Sequence, residues 1–172
     1  MRTSKRYTNT SFTKRVDHQE RHVSRRAAKE PKVCSICGSV YEGRRWVSQQ
    51  EALNKARPAG WKAVASTLCP ACLQERSGVP GGVVYVDGEF LAAHRDEIQR
   101  IIENEAERAG RVNPLARILA WEKQDNERLT VTTTTEHLAQ RLGHALEKAF
   151  GGEVRYGFSH ENKFARVWWH RN

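Results

Sequence analysis

The sequence predicts an α+β protein in four parts: a disordered basic arm (1–32), a four-cysteine zinc module of treble-clef or zinc-ribbon type (33–78), a helical segment (79–128) and a β-α-β-β unit (129–172). Three observations carry this expectation. Every cysteine lies in one of two CxxC pairs, Cys34-Ser35-Ile36-Cys37 and Cys69-Pro70-Ala71-Cys72. Residues 1–32 hold ten Lys/Arg against three acids, a net +7 of the chain's +9. The C-terminal quarter passes from a Thr-rich apolar run to an apolar stripe at helical spacing and then to two alternating runs, the periodicities of strand, helix and strand pair.

The arm carries Arg2, Lys5, Arg6, Lys14, Arg15, Arg21, Arg25, Arg26, Lys29 and Lys32, with only Val16, Val23, Tyr7, Phe12 and a few alanines as apolar material. It buries too little surface to fold alone. Three roles suit such a segment: a solubilising tail, a membrane-surface arm, or an arm that neutralises phosphates and becomes ordered on RNA. A membrane arm needs an apolar face, which is missing. RNA phosphates are the expected partner. No run approaches the 18 apolar residues that a membrane helix needs, and no apolar stretch follows the charged N-terminus. A cytoplasmic protein with no membrane association is therefore expected.

In the second part, two CxxC pairs supply four thiolates, the sulfur cage that Zn²⁺ prefers. Gly38 after Cys37 lets the backbone turn so that amides point at a thiolate. Pro70 suits the first turn of a helix, whose positive end favours the thiolates beside it. A disulfide reading needs an oxidising compartment. A redox reading needs one CxxC in a βαβ frame. One structural zinc on Cys34, Cys37, Cys69 and Cys72 is the expected cofactor, and four protein ligands leave no position for a substrate. Around it, Val40–Val47 reads as a strand and Ser48–Arg57 as a short helix stopped by Pro58. Trp61–Leu68 leads to the second pair and a helix ending near Arg76. Arg44, Arg45 and Lys62 are the cations this module offers to RNA.

Ser77–Gly82 is turn-rich and separates the modules. Val83–Val86 reads as a strand with a turn at Asp87-Gly88. From Glu89, an apolar stripe of Leu91, Ile98, Ile101, Ile102, Ala106 and Ala109 predicts a helix stopped by Gly110. Asn113-Pro114 then predicts a second helix with Leu115, Ile118, Leu119 and Trp121 turned inward.

In the last part, Leu129–Thr132 reads as a strand. Thr133 to Glu136 has capping-box spacing, and Leu138, Leu142, Ala145, Leu146 and Ala149 predict the buried face of a helix ended by Gly151-Gly152. Strands follow at Val154–Ser159 and Lys163–His170, with a turn at Glu161-Asn162. Two surfaces of this unit are candidate RNA contacts. His137, Arg141, His144 and Lys148 share one helix face. On the final strand, Phe164, Arg166, Trp168 and His170 alternate with Ala165, Val167 and Trp169, and mixed aromatics and cations suit base stacking. The plainer readings are a solvated helix face and a packing lid.

Catalytic patterns fail. His94-Arg95-Asp96-Glu97 lacks the other parts of a kinase catalytic loop. Gly81-Gly82 is not followed by a phosphate-binding GK[ST]. There is no HExxH and no spare cysteine nucleophile. A non-enzymatic protein without a small-molecule substrate is expected.

The cysteine pairs, His94-Arg95-Asp96-Glu97-Ile98 with Asn104-Glu105, Asn113-Pro114-Leu115-Ala116-Arg117, and the stretch from Val131 to Val154 resemble small bacterial relatives of the Nmd-three family. That resemblance spans about residues 33–172. The family's larger members are zinc proteins of the large ribosomal subunit with more CxxC pairs and further domains. The resemblance implies ribosome association, not the nuclear-export role of the eukaryotic members. The expectation is a zinc-stapled rRNA-binding protein of the large subunit, acting in assembly or dormancy. A zinc-ribbon transcription regulator that binds DNA and a protein-interaction adaptor using the acidic middle are the alternatives.

Overall fold

The computed structural model describes residues 31–55, 65–125, 128–159 and 163–172. The predicted contacts Arg2, Lys5, Arg6, Lys14, Arg15, Arg21, Arg25, Arg26, Lys29 and Lys62, and the turn at Glu161-Asn162, lie outside the described residues. The described chain is mixed α+β, with four helices and two sheets among the described residues.

The first sheet comprises β1 (Lys32–Cys34), β2 (Val40–Glu42), β3 (Arg45–Val47) and β4 (Ala65–Thr67) in the order β3-β2-β1-β4. Strand β1 runs antiparallel to β2 and parallel to β4. The single strand predicted over Val40–Val47 is a hairpin instead. Its turn residues Gly43 and Arg44 have φ of 56° and 68°, and two positive φ values in a two-residue loop match the right-handed twist of the flanking strands. Helix α1 (Gln49–Asn54) starts where predicted, with the Ser48 hydroxyl accepting from Glu51 N–H at 3.0 Å. Lys55 is already extended, so the helix is shorter than the predicted Ser48–Arg57. Helix α2 (Pro70–Ser77) has Pro70 in its first turn and ends on Gly78 at φ 67°.

The second sheet is larger. Strands β5 (Gly82–Asp87), β6 (Ile118–Asp125), β7 (Arg128–Thr133), β8 (Glu153–Ser159) and β9 (Phe164–His170) stand in the order β6-β7-β5-β9-β8. Helices α3 (Glu89–Val112) and α4 (Glu136–Phe150) cover one face. The β-α-β-β order predicted for 129–172 is present as β7-α4-β8-β9, but β5 lies between β7 and β9, parallel to β9. The boundary at 128/129 therefore cuts through one sheet.

The core lies between that sheet and the two helices. Val84, Val131, Val167 and Trp169 meet Leu91, Ile98 and Ile102 of α3 and Leu138, Leu142 and Leu146 of α4, all at 0% exposure. Each such side chain contributes about 1.5–3 kcal/mol by leaving water. Glycine sets the helix–sheet distance: a Cβ on Gly143 would stand 2.6 Å from Val167 Cγ1.

Four further expectations are corrected. The second helix of the middle segment does not form. The Asn113 side chain accepts from Leu115 N–H at 3.0 Å, closing a turn, and the chain enters β6. A register shift between Ile118 and Ala120 puts Ile118 and Trp121 on the same core-facing side. That bulge imitates the three-residue spacing of a helix. Gly110 does not stop α3, which runs on to Val112 with Asn113 as its cap. The cap of α4 is Thr135, accepting from Leu138 N–H at 3.2 Å, whereas Thr133 is committed to β7. Of the apolar positions predicted on α4, Ala149 is exposed.

Candidate metal centre

The cysteine sulfurs are gathered by two local structures. After β1 the chain turns at Gly38, whose φ is 72°, and Gly38 N–H donates to Cys34 C=O at 3.0 Å while Cys34 N–H donates to Ser39 C=O at 2.8 Å. Gly38's amide is thus spent on a carbonyl rather than on a sulfur. The second pair opens α2: Cys69 is the cap residue, its sulfur accepting from Cys72 N–H at 3.4 Å. Cys69 N–H donates to Cys34 Sγ at 3.3 Å, joining the two halves.

All four sulfurs lie within 4.8 Å of one another, with Cys37 Sγ 3.7 Å from Cys69 Sγ. A tetrahedral metal with bonds of about 2.3 Å to sulfur separates its ligands by roughly 3.8 Å, so this cluster can hold one metal ion. All four cysteines are free thiols. Burial pushes the Cys37 thiol up, but the Ser39 hydroxyl and amide, then Arg117, outweigh it and hold the thiol at about 6. Burial raises Cys72 and Cys69, beyond what neighbouring donors recover. Four sulfurs this close resist carrying four negative charges unless a cation sits among them.

Part of that positive charge comes from the segment that leads into the larger sheet. Arg117 Nη1 stands 3.6 Å from Cys72 Sγ and 3.0 Å from Glu75 Oε1. Burial works against its charge, but contacts with Cys37, Glu75 and Cys72 more than restore it. The Asn113–Arg117 turn is fixed by Thr134, whose hydroxyl donates to Leu115 C=O at 2.5 Å and accepts from Arg117 N–H at 2.8 Å. Leu115 packs on the buried cysteines, as does Trp46 from β3. Neither Arg117, Glu75 nor Thr134 follows from ligand spacing. Their one sequence signal is the pairing of the Asn-Pro-Leu-Ala-Arg run with a Thr-rich strand end.

The predicted RNA contacts within the described residues do not form one surface. Lys32 belongs to β1, paired opposite Tyr41 and Ala65, rather than to the arm. Arg44 is exposed at the hairpin turn, whereas Arg45 is ion-paired to Glu51 at 2.5 Å. On α4, His137, His144 and Lys148 are exposed, but Arg141 is bound to Glu105 of α3 at 2.6 Å. Arg166 and Trp168 point away from the helices on β9, beside Tyr85 of β5.

No protein-family model, curated protein or solved structure matches this chain. Among the described residues, no helix is long and apolar enough to cross a membrane.

Proposed function

We propose that this is a non-enzymatic, cytoplasmic protein that carries one structural zinc in a treble-clef-like module and binds ribosomal RNA. The proposed target is the large subunit and the proposed role is assembly or dormancy. The observation that carries the reading is the joining of a four-cysteine cluster to an arm holding +7 of the chain's +9. Phosphate neutralisation by such an arm supplies sequence-independent affinity, and a four-sulfur centre with no open ligand position acts as a fold staple. The resemblance to the Nmd-three family supports the ribosome as the particle bound.

In this reading the arm follows rRNA phosphates and Arg44 adds a contact at the hairpin tip. The α4 face contributes less than its sequence suggests, because Arg141 is engaged with Glu105. The adaptor alternative gains no support from an exposed apolar stripe, since Leu91, Ile98 and Ile102 of α3 are buried in the core.

The test is gradient sedimentation of tagged protein from lysate at low and high salt, in growth and in stationary phase. Co-migration with the large subunit or whole ribosome, weakened by salt, is the expected result. Protein that stays at the top of the gradient at low salt overturns the proposal. Tighter retention on one DNA duplex than on rRNA makes the transcription-regulator reading the better one.

A further inference from the structure

Helices α3 and α4 pack on one face of the larger sheet. The opposite face carries three consecutive rows set by strand register. Tyr85, Trp168 and Arg155 form the first row, from β5, β9 and β8. Asp87, His170 and Glu153 form the next row on one side. Val83, Arg166 and Gly157 form the row on the other side. Solvated sheet faces are normally lined by small polar and charged groups, so an aromatic row here needs an explanation.

The central ring is built to be presented. Trp168 is parallel to Tyr85 within 18°, with centroids 5.9 Å apart. Its indole reaches over Gly157, where a Cβ would stand 3.1 Å from Trp168 Cζ3. The ring therefore lies across β8 and keeps 39% of its surface exposed. Beside it, reaching round the edge of β8, is a recess of about 600 Å³ lined by Asp87, Glu153, Arg155, Tyr156, Trp168 and His170. The Asp87 carboxylate is held by His170 Nδ1 at 2.5 Å, and Arg155 is held by Glu153 at 2.9 Å.

We propose that this face is a stacking site for an unpaired guanine base of single-stranded RNA, with Trp168 as platform and Asp87 and Arg155 at the base edge. The assignment rests on the RNA-binding reading and deepens it. Stacking on an exposed aromatic ring suits any base; the edge groups select. Guanine presents adjacent N–H donors that a carboxylate accepts, and O6 and N7 acceptors that a guanidinium bonds in pairs. Arg166, in the row beyond Trp168, is a cation placed to meet a phosphate. Arg166 also lies 4.9 Å from the Phe164 ring, where a neighbouring base can continue the stack.

The experiment uses the full chain and short oligouridines carrying one central guanosine, one central adenosine or neither, followed by tryptophan emission. The guanosine oligomer is expected to quench emission and to bind on the order of tenfold more weakly to Trp168→Ala, the range typical of one stacked base. Asp87→Asn, which leaves the platform intact, is expected to erase the preference for guanosine over adenosine. Unchanged affinity in Trp168→Ala, no preference in the parent protein, or equal quenching by free guanosine monophosphate would each overturn the site. Filter retention of an rRNA fragment separates the two levels. Retention unaffected by Trp168→Ala removes this site and leaves the RNA reading standing, whereas no retention by the parent protein removes both.

Discussion

Arg117 reaches across 45 residues of sequence to place its guanidinium 3.6 Å from the sulfur of Cys72. The contact joins the chain segment leading into the larger sheet to the smaller, cysteine-bearing one. Its geometry depends on neither cysteine pair alone but on Thr134, which holds the Arg117 backbone from the end of β7. A cluster of four thiolates around a divalent cation is left with a net negative charge, and Arg117 offsets part of it.

Arg117→Gln is therefore expected to weaken metal binding by about 10- to 100-fold, the usual effect of losing a group that supports the ligands. Arg117→Lys should recover only part, because lysine lacks the second donor, Nε, that ties the Arg117 side chain to Pro114 C=O at 3.0 Å. Competition against a chromophoric chelator at fixed pH reads this directly. Equal zinc affinity in all three proteins would show the contact to be incidental.

Metal removal should unfold one sheet and spare the other. Purified protein is expected to contain one zinc per chain, and Cys37→Ser or Cys69→Ser to lose it. Coupling of metal to folding in such modules is on the order of 10 kcal/mol, far more than the small cluster of Val40, Val47 and Ala52 supplies. The core of the larger sheet contains no cysteine. Hydrogen exchange after chelation should show lost protection in β1 to β4 and retained protection in β5, β7 and β9. Loss of protection throughout would mean that the two parts fold as one.

Alkaline pH should destabilise the fold through Tyr156. Burial, with a smaller push from Glu147, raises its hydroxyl from the ordinary 10.0 to about 12. The folded state thus prefers the neutral phenol more than the unfolded chain does. Its stability is whole below about pH 10 and is lost as pH climbs through about 12. The Tyr156 hydroxyl has no hydrogen-bond partner among the described residues, so Tyr156→Phe removes an unsatisfied group as well. Urea midpoints should match or favour the variant at neutral pH, and the variant should keep its stability further into alkali. Parallel pH profiles for the two proteins would rule this out.

Deleting residues 1–32 removes seven net positive charges, Lys32 of β1 among them. RNA affinity is expected to drop, and its log–log dependence on salt to flatten by roughly 3 to 5 if about half the ten cations meet phosphates. Deleting only residues 1–31 keeps β1 intact and should give nearly the same slope. An unchanged slope in both would reduce the arm to a solvated tail.

Some of this was legible from residues alone because the forces involved are local. The CxxC spacing predetermines which sulfurs meet, since each pair is held by its own turn or helix start. Pro70 and Gly78 bracket α2, Ser48 caps α1, and the apolar stripes of α3 and α4 reproduce the buried faces except at positions such as Ala149. Charge segregation between arm and middle is likewise a property of the chain itself. Other features depend on pairings between distant segments, which no local pattern encodes. The bulge in β6 gave Ile118 and Trp121 a helical spacing that strand pairing with β7 overrode. Thr133 had capping-box spacing, yet its backbone was worth more as a ladder partner to Gly82. The insertion of β5 between β7 and β9, the capture of Arg141 by Glu105 and the approach of Arg117 to Cys72 were decided only when the sheet closed. Local free energies choose the element, whereas burial and hydrogen bonding across the fold choose its neighbours, and it is the neighbours that determine which charges remain for a partner.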